Sequence, residues 1–238
     1  MLAGRGLRPA QIDEVYISVG PGSFTGTRVA VTVARVLAQT APGLRVVAVP
    51  TTAAVAEGAR ELPWRRLGVI LDAREGLIYA ATFARPDGPI IADGPCGVMT
   101  PREYLAAAGR PLALVGEGLA YHCLPDDLVL APRALDAPPH LPSAGNVWRV
   151  GRAMAAAGLF TEYHRLEPIY CRKPEALRVW ERTHGTAAPI ALPLGLPIDD
   201  KAKWAENRIL LTGFESPEGA IPARRDSRGR KPPDKMRS

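Results

Sequence analysis

The residues best placed to bind a charged ligand form a glycine-rich segment, Gly20-Pro21-Gly22-Ser23-Phe24-Thr25-Gly26. An apolar, β-branched run precedes it at residues 15–19, and a stretch without helix breakers follows at residues 27–40. Glycines permit positive φ and close backbone approach, and Ser23 or Thr25 can cap the following helix. Such a loop presents free backbone N–H groups at the positive end of a helix dipole, where a phosphate or a carboxylate can bind.

The spacing of this loop does not fit the common nucleotide-binding patterns. Gly22 and Gly26 are separated by three residues, whereas a Walker A loop needs four and a following lysine. The dinucleotide pattern G-x-G-x-x-G also fails after Gly20 and Gly22. The spacing therefore favours a tight turn shaped by Gly20, Gly22 and Gly26, with Ser23 and Thr25 as caps, and nucleotide contact is the alternative.

The helix predicted after the loop is apolar on nearly every side. Two faces are recognisable from the spacing: Val29, Val33, Val36 and Thr40 on one, and Ala30, Ala34, Leu37 and Ala38 on the other. A helix with one solvated face carries only one apolar stripe. This helix is therefore predicted to be buried on two sides, against its own sheet and against either a second protein or another part of the chain.

Charge and composition limit the function classes. Residues 222–238 hold seven cations and two anions, so five of the six net positive charges belong to a terminal segment with little core-forming content. The preferred interpretation is a solvated terminus, and RNA contact through counterion release is the alternative. No apolar run reaches the ~18–20 residues that span a bilayer, and no signal-like segment is present, so a cytoplasmic protein is expected.

Cysteine and histidine patterns argue against a metal site. The three cysteines are far apart and lack a Cys-x-x-Cys pair, which predicts free thiols. The four histidines include no His-x-x-x-His or His-Glu-x-x-His pair, so neither a zinc site nor any other metal site is predicted.

The remaining pattern alternates strands and helices, in two unequal halves that meet near residue 65. After the loop and its helix, the predicted elements are a strand at 44–50, a helix at 53–60, a hairpin of strands 67–71 and 77–83, a helix at 101–109 capped by Thr100, short strands at 112–115 and 129–131, and a helix at 144–157 capped by Ser143. Residues 1–8 resemble the end of a helix, and periodicity is lost from about residue 183. The predicted fold class is α/β.

Four motifs occur in the order found in one known family. They are the nine-residue motif Gly20-Pro21-Gly22-Ser23-Phe24-Thr25-Gly26-Thr27-Arg28, Leu71-Asp72-Ala73-Arg74 with Ile78-Tyr79, Gly116-Glu117-Gly118, and Glu167-Pro168-Ile169-Tyr170-Cys171-Arg172. Over residues 7–182 the chain resembles the TsaB (YeaZ) family, the dimerisation subunit of the bacterial machinery that makes N6-threonylcarbamoyladenosine in tRNA.

The resemblance implies an actin-like, ribonuclease H-like α/β fold of two lobes and a non-catalytic scaffold role. The expected partners are a TsaD-like catalytic subunit and a TsaE-like ATPase, with tRNA reached indirectly through the complex and a homodimer as a further form. The complex uses ATP to transfer threonylcarbamoyl to N6 of adenosine 37 in tRNAs that read codons beginning with A. No cofactor, catalytic residue or membrane contact is expected for this subunit itself.

The resemblance also assigns roles to individual residues. The helix after the loop is expected to form the partner interface through Arg28, Val29, Thr32, Val33, Arg35 and Val36. Arg28 and Arg35 either form ion pairs across that interface or are solvated charges. Asp72 and Arg74 lie in the hairpin turn, where an internal salt bridge or hydrogen bond is preferred over a remnant of the phosphate-contacting hairpin of actin-like ATPases.

Both ends of the chain depart from the family pattern. Family members begin with a strand bearing an Asp-Thr-Ser-like turn, which is not found here. Residues 1–64 are therefore expected to be an incomplete N-terminal lobe, left by a misplaced start or a truncated gene rather than by a functional short form. Residues 65–182 are expected to form the second lobe, and residues 183–238 a disordered basic extension.

Two enzymatic hypotheses stand beside the scaffold. An active actin-like ATPase or kinase would need an acidic metal ligand in the first strand and measurable ATP turnover. A metallopeptidase of the glycoprotease type would need a metal site, which the histidine spacing does not supply.

Overall fold

The computed structural model describes residues 3–6, 8–85, 90–110, 112–130, 141–170 and 175–185. Within these residues it contains six strands and five α-helices, joined by turns and short 3-10 segments. In chain order they are β1 (Glu14–Gly20), α1 (Phe24–Thr40), β2 (Arg45–Pro50), α2 (Thr51–Gly58), β3 (Arg66–Asp72), β4 (Ile78–Ala84), β5 (Ile91–Met99), α3 (Pro101–Ala108), β6 (Ala113–Val115), α4 (Ala144–Ala156) and α5 (Glu175–His184).

The first sheet consists of β1 and β2, which pair in parallel with Glu14 opposite Arg45. Because parallel strands need a crossover, α1 connects them and packs on one face of the sheet. The side chains that meet there are apolar and alternate along the strands: Ile17, Val19 and Val46 from the sheet, and Val31 and Ala34 from α1.

The second sheet has the order β5-β4-β3-β6. Strands β3, β4 and β5 form an antiparallel meander, and β6 pairs in parallel with β3. Helix α3 covers one face through the buried Tyr104 and Ala108, which pack against Ile70, Ile78 and Leu114. The predicted hairpin of β3 and β4 is confirmed, with Asp72 opposite Ile78 at its end.

A third apolar cluster connects the two sheets through helices α2 and α4. It contains Val47 and Val49 of β2 together with Val69 of β3. Helix α4 approaches β1 closely because Gly151 has no side chain: a Cβ there would lie 2.6 Å from the ring of Tyr16. The core is thus continuous between the sheets, and α1 lies on the opposite face of the first sheet.

The N-terminal caps of α3 and α4 are the residues that the sequence predicts. Thr100 and Glu103 form a capping box at α3, with the Glu103 N–H donating to Thr100 Oγ1 at 3.2 Å. Ser143 caps α4 by accepting from the Asn146 N–H at 3.1 Å. Both caps were predicted, and both helices begin at the residue after the cap.

Several predicted boundaries were wrong. Residues 3–5 and 9–11 form short 3-10 turns rather than the end of an α-helix, since Gly4, Gly6 and Pro9 interrupt that stretch. The structure adds β5 and α5, which the sequence pattern did not predict. At residue 129 a single bridge to Leu114 replaces the expected strand. Apart from residues 183–185, the predicted C-terminal extension lies outside the described residues. None of the described helices is long and apolar enough to cross a membrane.

Candidate functional site

A later segment of the chain, around Ile169, packs directly on the glycine loop at Gly20. Gly20 has a φ of 104° and is joined to Pro21 by a cis peptide bond. The Ile169 N–H donates to the Val19 carbonyl at 2.7 Å, and a Cβ on Gly20 would lie 2.5 Å from the Ile169 carbonyl oxygen. Residue 20 must therefore lack a side chain, because the segment around Ile169 packs directly on the loop.

The other loop residues form the start of α1. Ser23 is the N-cap and accepts from the Gly26 N–H at 3.3 Å, so the chain itself uses one of the amides that an anion would need. Thr25 lies exposed in the first helical turn rather than at the cap. Added Cβ atoms on Gly22 and Gly26 would meet only ordinary contacts, so steric need for glycine is confined to Gly20 in this loop.

Helix α1 leaves an apolar face uncovered among the described residues. Its inner side buries Thr27, Val31 and Ala34 against the first sheet. On its outer side Val29, Val33 and Val36 are 57%, 53% and 50% exposed. Their spacing of four and three residues places the valines in one stripe along the helix. Contiguous exposed apolar side chains of this kind are typical of protein-binding surfaces.

The polar residues predicted for the interface flank this valine stripe. Thr32 and Arg28 are exposed, and the Arg28 guanidinium lies 5.1 Å from the centre of the Phe24 ring. Phe24 in turn packs on Tyr170 with ring centres 5.0 Å apart. These contacts attach the C-terminal segment around Tyr170 to the beginning of α1.

Arg35 forms hydrogen bonds within the chain. Its guanidinium donates to the Tyr163 carbonyl at 2.9 Å and to the His164 carbonyl at 2.6 Å. These two carbonyls hold the Arg35 guanidinium, and an ion pair of Arg35 across an interface stays a prediction. Arg35 fastens the 3-10 turn Tyr163–Arg165 to the side of α1.

The turn between β3 and β4 is held by a network of hydrogen bonds and ion pairs. The Arg74 N–H donates to Asp72 Oδ1 at 3.0 Å, and Arg74 Nε lies 3.3 Å from Asp72 Oδ2. The predicted internal salt bridge and hydrogen bond of this turn are both present. Arg74 and Glu75 in this turn have positive φ, 66° and 54°, which non-glycine residues seldom adopt.

His122 also belongs to this network, although the sequence pattern did not predict it. His122 Nε2 lies 3.0 Å from Asp72 Oδ1, and each side chain is 8% exposed. Glu117 Oε1 accepts from the Asp72 N–H at 3.4 Å. The Asp72 carboxylate therefore connects the hairpin turn to the turn after β6. Separations of 50 and 45 residues left no local signal for either contact.

The groups with clearly shifted pKa values have structural causes. Burial raises the pKa of Tyr104 to about 12, partly offset by its hydrogen bond to Thr82. Burial likewise raises the pKa of the Cys96 thiol. The Thr100 N–H in the capping box lowers the pKa of Glu103. Within the described residues no group of three or more His, Cys, Asp or Glu side chains could hold a metal ion.

Comparison with known proteins shows which proteins this chain is similar to. A family model described as TsaD, tRNA N6-adenosine threonylcarbamoyltransferase, matches residues 1–97. The tRNA threonylcarbamoyladenosine biosynthesis protein TsaB of Bacillus subtilis is 26% identical over 179 residues, 73% of this chain and 76% of that protein. The TsaB protein of Escherichia coli K12 is 28% identical over 197 residues, 78% of this chain and 80% of that protein.

The chain is similar to proteins of the TsaB (YeaZ) family. YeaZ from Pseudomonas aeruginosa superposes with a TM-score of 0.58 at 24% identity, covering 71% of this chain and 80% of that one. A second Pseudomonas aeruginosa structure, described as similar to peptidase YeaZ, gives a TM-score of 0.57 at 28% identity, covering 72% and 79%. The fold is accordingly the actin-like α/β fold that the TsaB resemblance implied.

Proposed function

We propose that this chain is a non-catalytic, partner-binding subunit in the synthesis of threonylcarbamoyladenosine in tRNA. The observation that carries the proposal is the exposed valine stripe of α1, formed by Val29, Val33 and Val36. A stripe of this kind on a helix that is packed on its other side offers an apolar core for a protein interface. The names of the two curated TsaB relatives supply the pathway.

The proposed partner is a TsaD-like catalytic subunit. The match of residues 1–97 to the TsaD model supports this choice, because a chain with a similar lobe can present a helix similar to α1. Two such helices can then pack across a pseudo-twofold axis, as in isologous interfaces. The same geometry allows two copies of this chain to pair when the catalytic subunit is absent.

Within this complex the subunit plays a structural part. The catalytic partner transfers threonylcarbamoyl to N6 of adenosine 37 in tRNAs that read codons beginning with A, and a TsaE-like ATPase consumes ATP. Helices α2 and α4 contribute to the apolar cluster that joins the two sheets. The glycine loop serves as the turn that begins α1. The packing of Ile169 directly on Gly20 supports this structural role.

Co-expression with the cognate TsaD-like subunit tests this function. We expect a one-to-one complex on size-exclusion chromatography with light scattering, and no ATP turnover by this chain alone. The matched comparison is the TsaD-like subunit expressed without it. Absence of a complex would contradict the scaffold, and ATP hydrolysis by the isolated chain would favour the actin-like ATPase instead.

A further inference from the structure

The chain after α4 returns to the side of α1, and residues 161–170 are named the flank segment here. At its start the Thr161 N–H donates to the Val46 carbonyl at 2.8 Å, and at its end Tyr170 packs on Phe24 of α1. Between these points Leu166 is fully buried in the cluster that α1 forms with the first sheet. The flank segment is therefore fixed beside α1 at several points.

Arg35 is the residue of α1 that holds the turn Tyr163–Arg165 of this segment. Its guanidinium donates to the carbonyls of Tyr163 and His164, so the main chain of both residues is fixed against α1. The His164 imidazole lies edge-on to the Tyr163 ring, with ring centres 5.7 Å apart, and its Nε2 is 3.2 Å from Glu162 Oε2. The Tyr163 ring is thus supported by its own main chain and by His164, while the residue stays 41% exposed.

The turn lies next to the valine stripe of α1. Arg35 directly precedes Val36, the last valine of the stripe. At about 100° per residue, the exposed Thr32 lies between the stripe and Arg35 around the helix. A protein interface of ordinary size covers about 800 Å² on each partner, which is more than three valine side chains provide. A partner seated on the stripe therefore reaches the turn that Arg35 holds.

We propose that Tyr163 is an anchor residue of the interface with the TsaD-like subunit, and that Arg35 is the residue that positions it. The inference rests on the proposed function, because it assigns a further part of the same interface. A ring that is held in place before binding loses little conformational entropy when a partner covers it. Tyrosine is also among the residues that dominate the binding energy of interfaces. The partner surface that fits is an apolar recess for the ring with a polar group for the hydroxyl.

The test is a double-mutant cycle on affinity for the TsaD-like subunit, measured by isothermal titration calorimetry with the full chain. Tyr163→Ala is expected to weaken binding about 30-fold, the effect of an interface hot spot. Arg35→Ala is expected to weaken it about fivefold, because the ring is then no longer ordered before binding. Since Arg35 acts through Tyr163, the double variant should bind about 30-fold more weakly than the wild type, whereas independent sites would give about 150-fold.

The control removes a tyrosine of similar exposure from another surface. Tyr121→Ala changes an exposed side chain in the turn after β6 and is expected to bind like the wild type. Tyr163→Ala keeps the main-chain carbonyl that Arg35 binds, so its thermal midpoint should match that of the wild type. The anchor role is therefore tested even if Arg35→Ala lowers stability.

The possible failures are distinguishable. Unchanged binding by Tyr163→Ala would overturn the anchor role, and an effect of about 150-fold in the double variant would overturn positioning by Arg35. Either result, in a complex that the Val29→Glu, Val33→Glu variant still abolishes, would leave the proposed function standing. If the wild type forms no complex with the TsaD-like subunit, the proposed function fails, and this inference fails with it.

Discussion

Replacing Val29 and Val33 by glutamate is expected to abolish association with the TsaD-like subunit. Both side chains are more than half exposed, and glutamate has a better helix propensity than valine. The free energy of unfolding should therefore change by less than about 0.5 kcal/mol. In the complex, the two carboxylates would be buried among apolar side chains without partners. We expect affinity to fall about 100-fold or more, measured by isothermal titration calorimetry.

The matched control introduces two glutamates on another exposed helix surface. Ala106 and Ala107 are exposed on α3, away from α1, so Ala106→Glu with Ala107→Glu adds the same charge. This variant should bind like the wild type. If both variants bind normally, the valine stripe is not the interface. A lower thermal midpoint for the α1 variant alone would attribute its effect to folding.

Gly116→Ala is expected to cause the largest loss of stability. Gly116 has a φ of 118°, where alanine is strained, and an added Cβ would lie 2.2 Å from the Ile70 carbonyl oxygen. That oxygen belongs to the central strand β3, so it cannot move without disturbing the sheet. We expect a loss of about 3 kcal/mol or more in the free energy of unfolding, measured with urea.

Gly145→Ala provides the comparison for this variant. Gly145 lies in the first turn of α4, and its added Cβ would meet only Ser143 Oγ at 3.8 Å. Alanine there should change stability by less than about 1 kcal/mol, since helix propensity favours it. If Gly116→Ala were as stable as Gly145→Ala, the turn after β6 would not pack against β3 as described.

Local signals in the sequence predicted most of the elements but not β5. Its sequence contains Gly94, Pro95 and Gly97, which argue against a strand. In the structure Gly94 has a φ of 128°, and a Cβ there would lie 2.9 Å from the Arg66 guanidinium. The Pro95 carbonyl accepts from Thr82 Oγ1 at 3.1 Å. Long-range contacts therefore outweigh local propensity in this strand.

In the candidate site too, the sequence predicts features set by local spacing but not contacts between residues far apart in the chain. The valine stripe was predictable, because helical spacing alone places Val29, Val33 and Val36 on one face. The carbonyl partners of Arg35 lie 128 and 129 residues away, and their position depends on how the later turn packs on α1. The contact between His122 and Asp72 likewise needs β6 to be placed beside β3.

We propose that this chain enables tRNA modification by binding a catalytic partner through α1. The most direct measurement is the threonylcarbamoyladenosine content of a tRNA transcript, determined by mass spectrometry after incubation with the TsaD-like and TsaE-like subunits, ATP and the threonylcarbamoyl precursors. We predict that modification requires this chain in stoichiometric amounts and is lost with the Val29→Glu, Val33→Glu variant. Modification without this chain, or undiminished modification with that variant, would contradict this role.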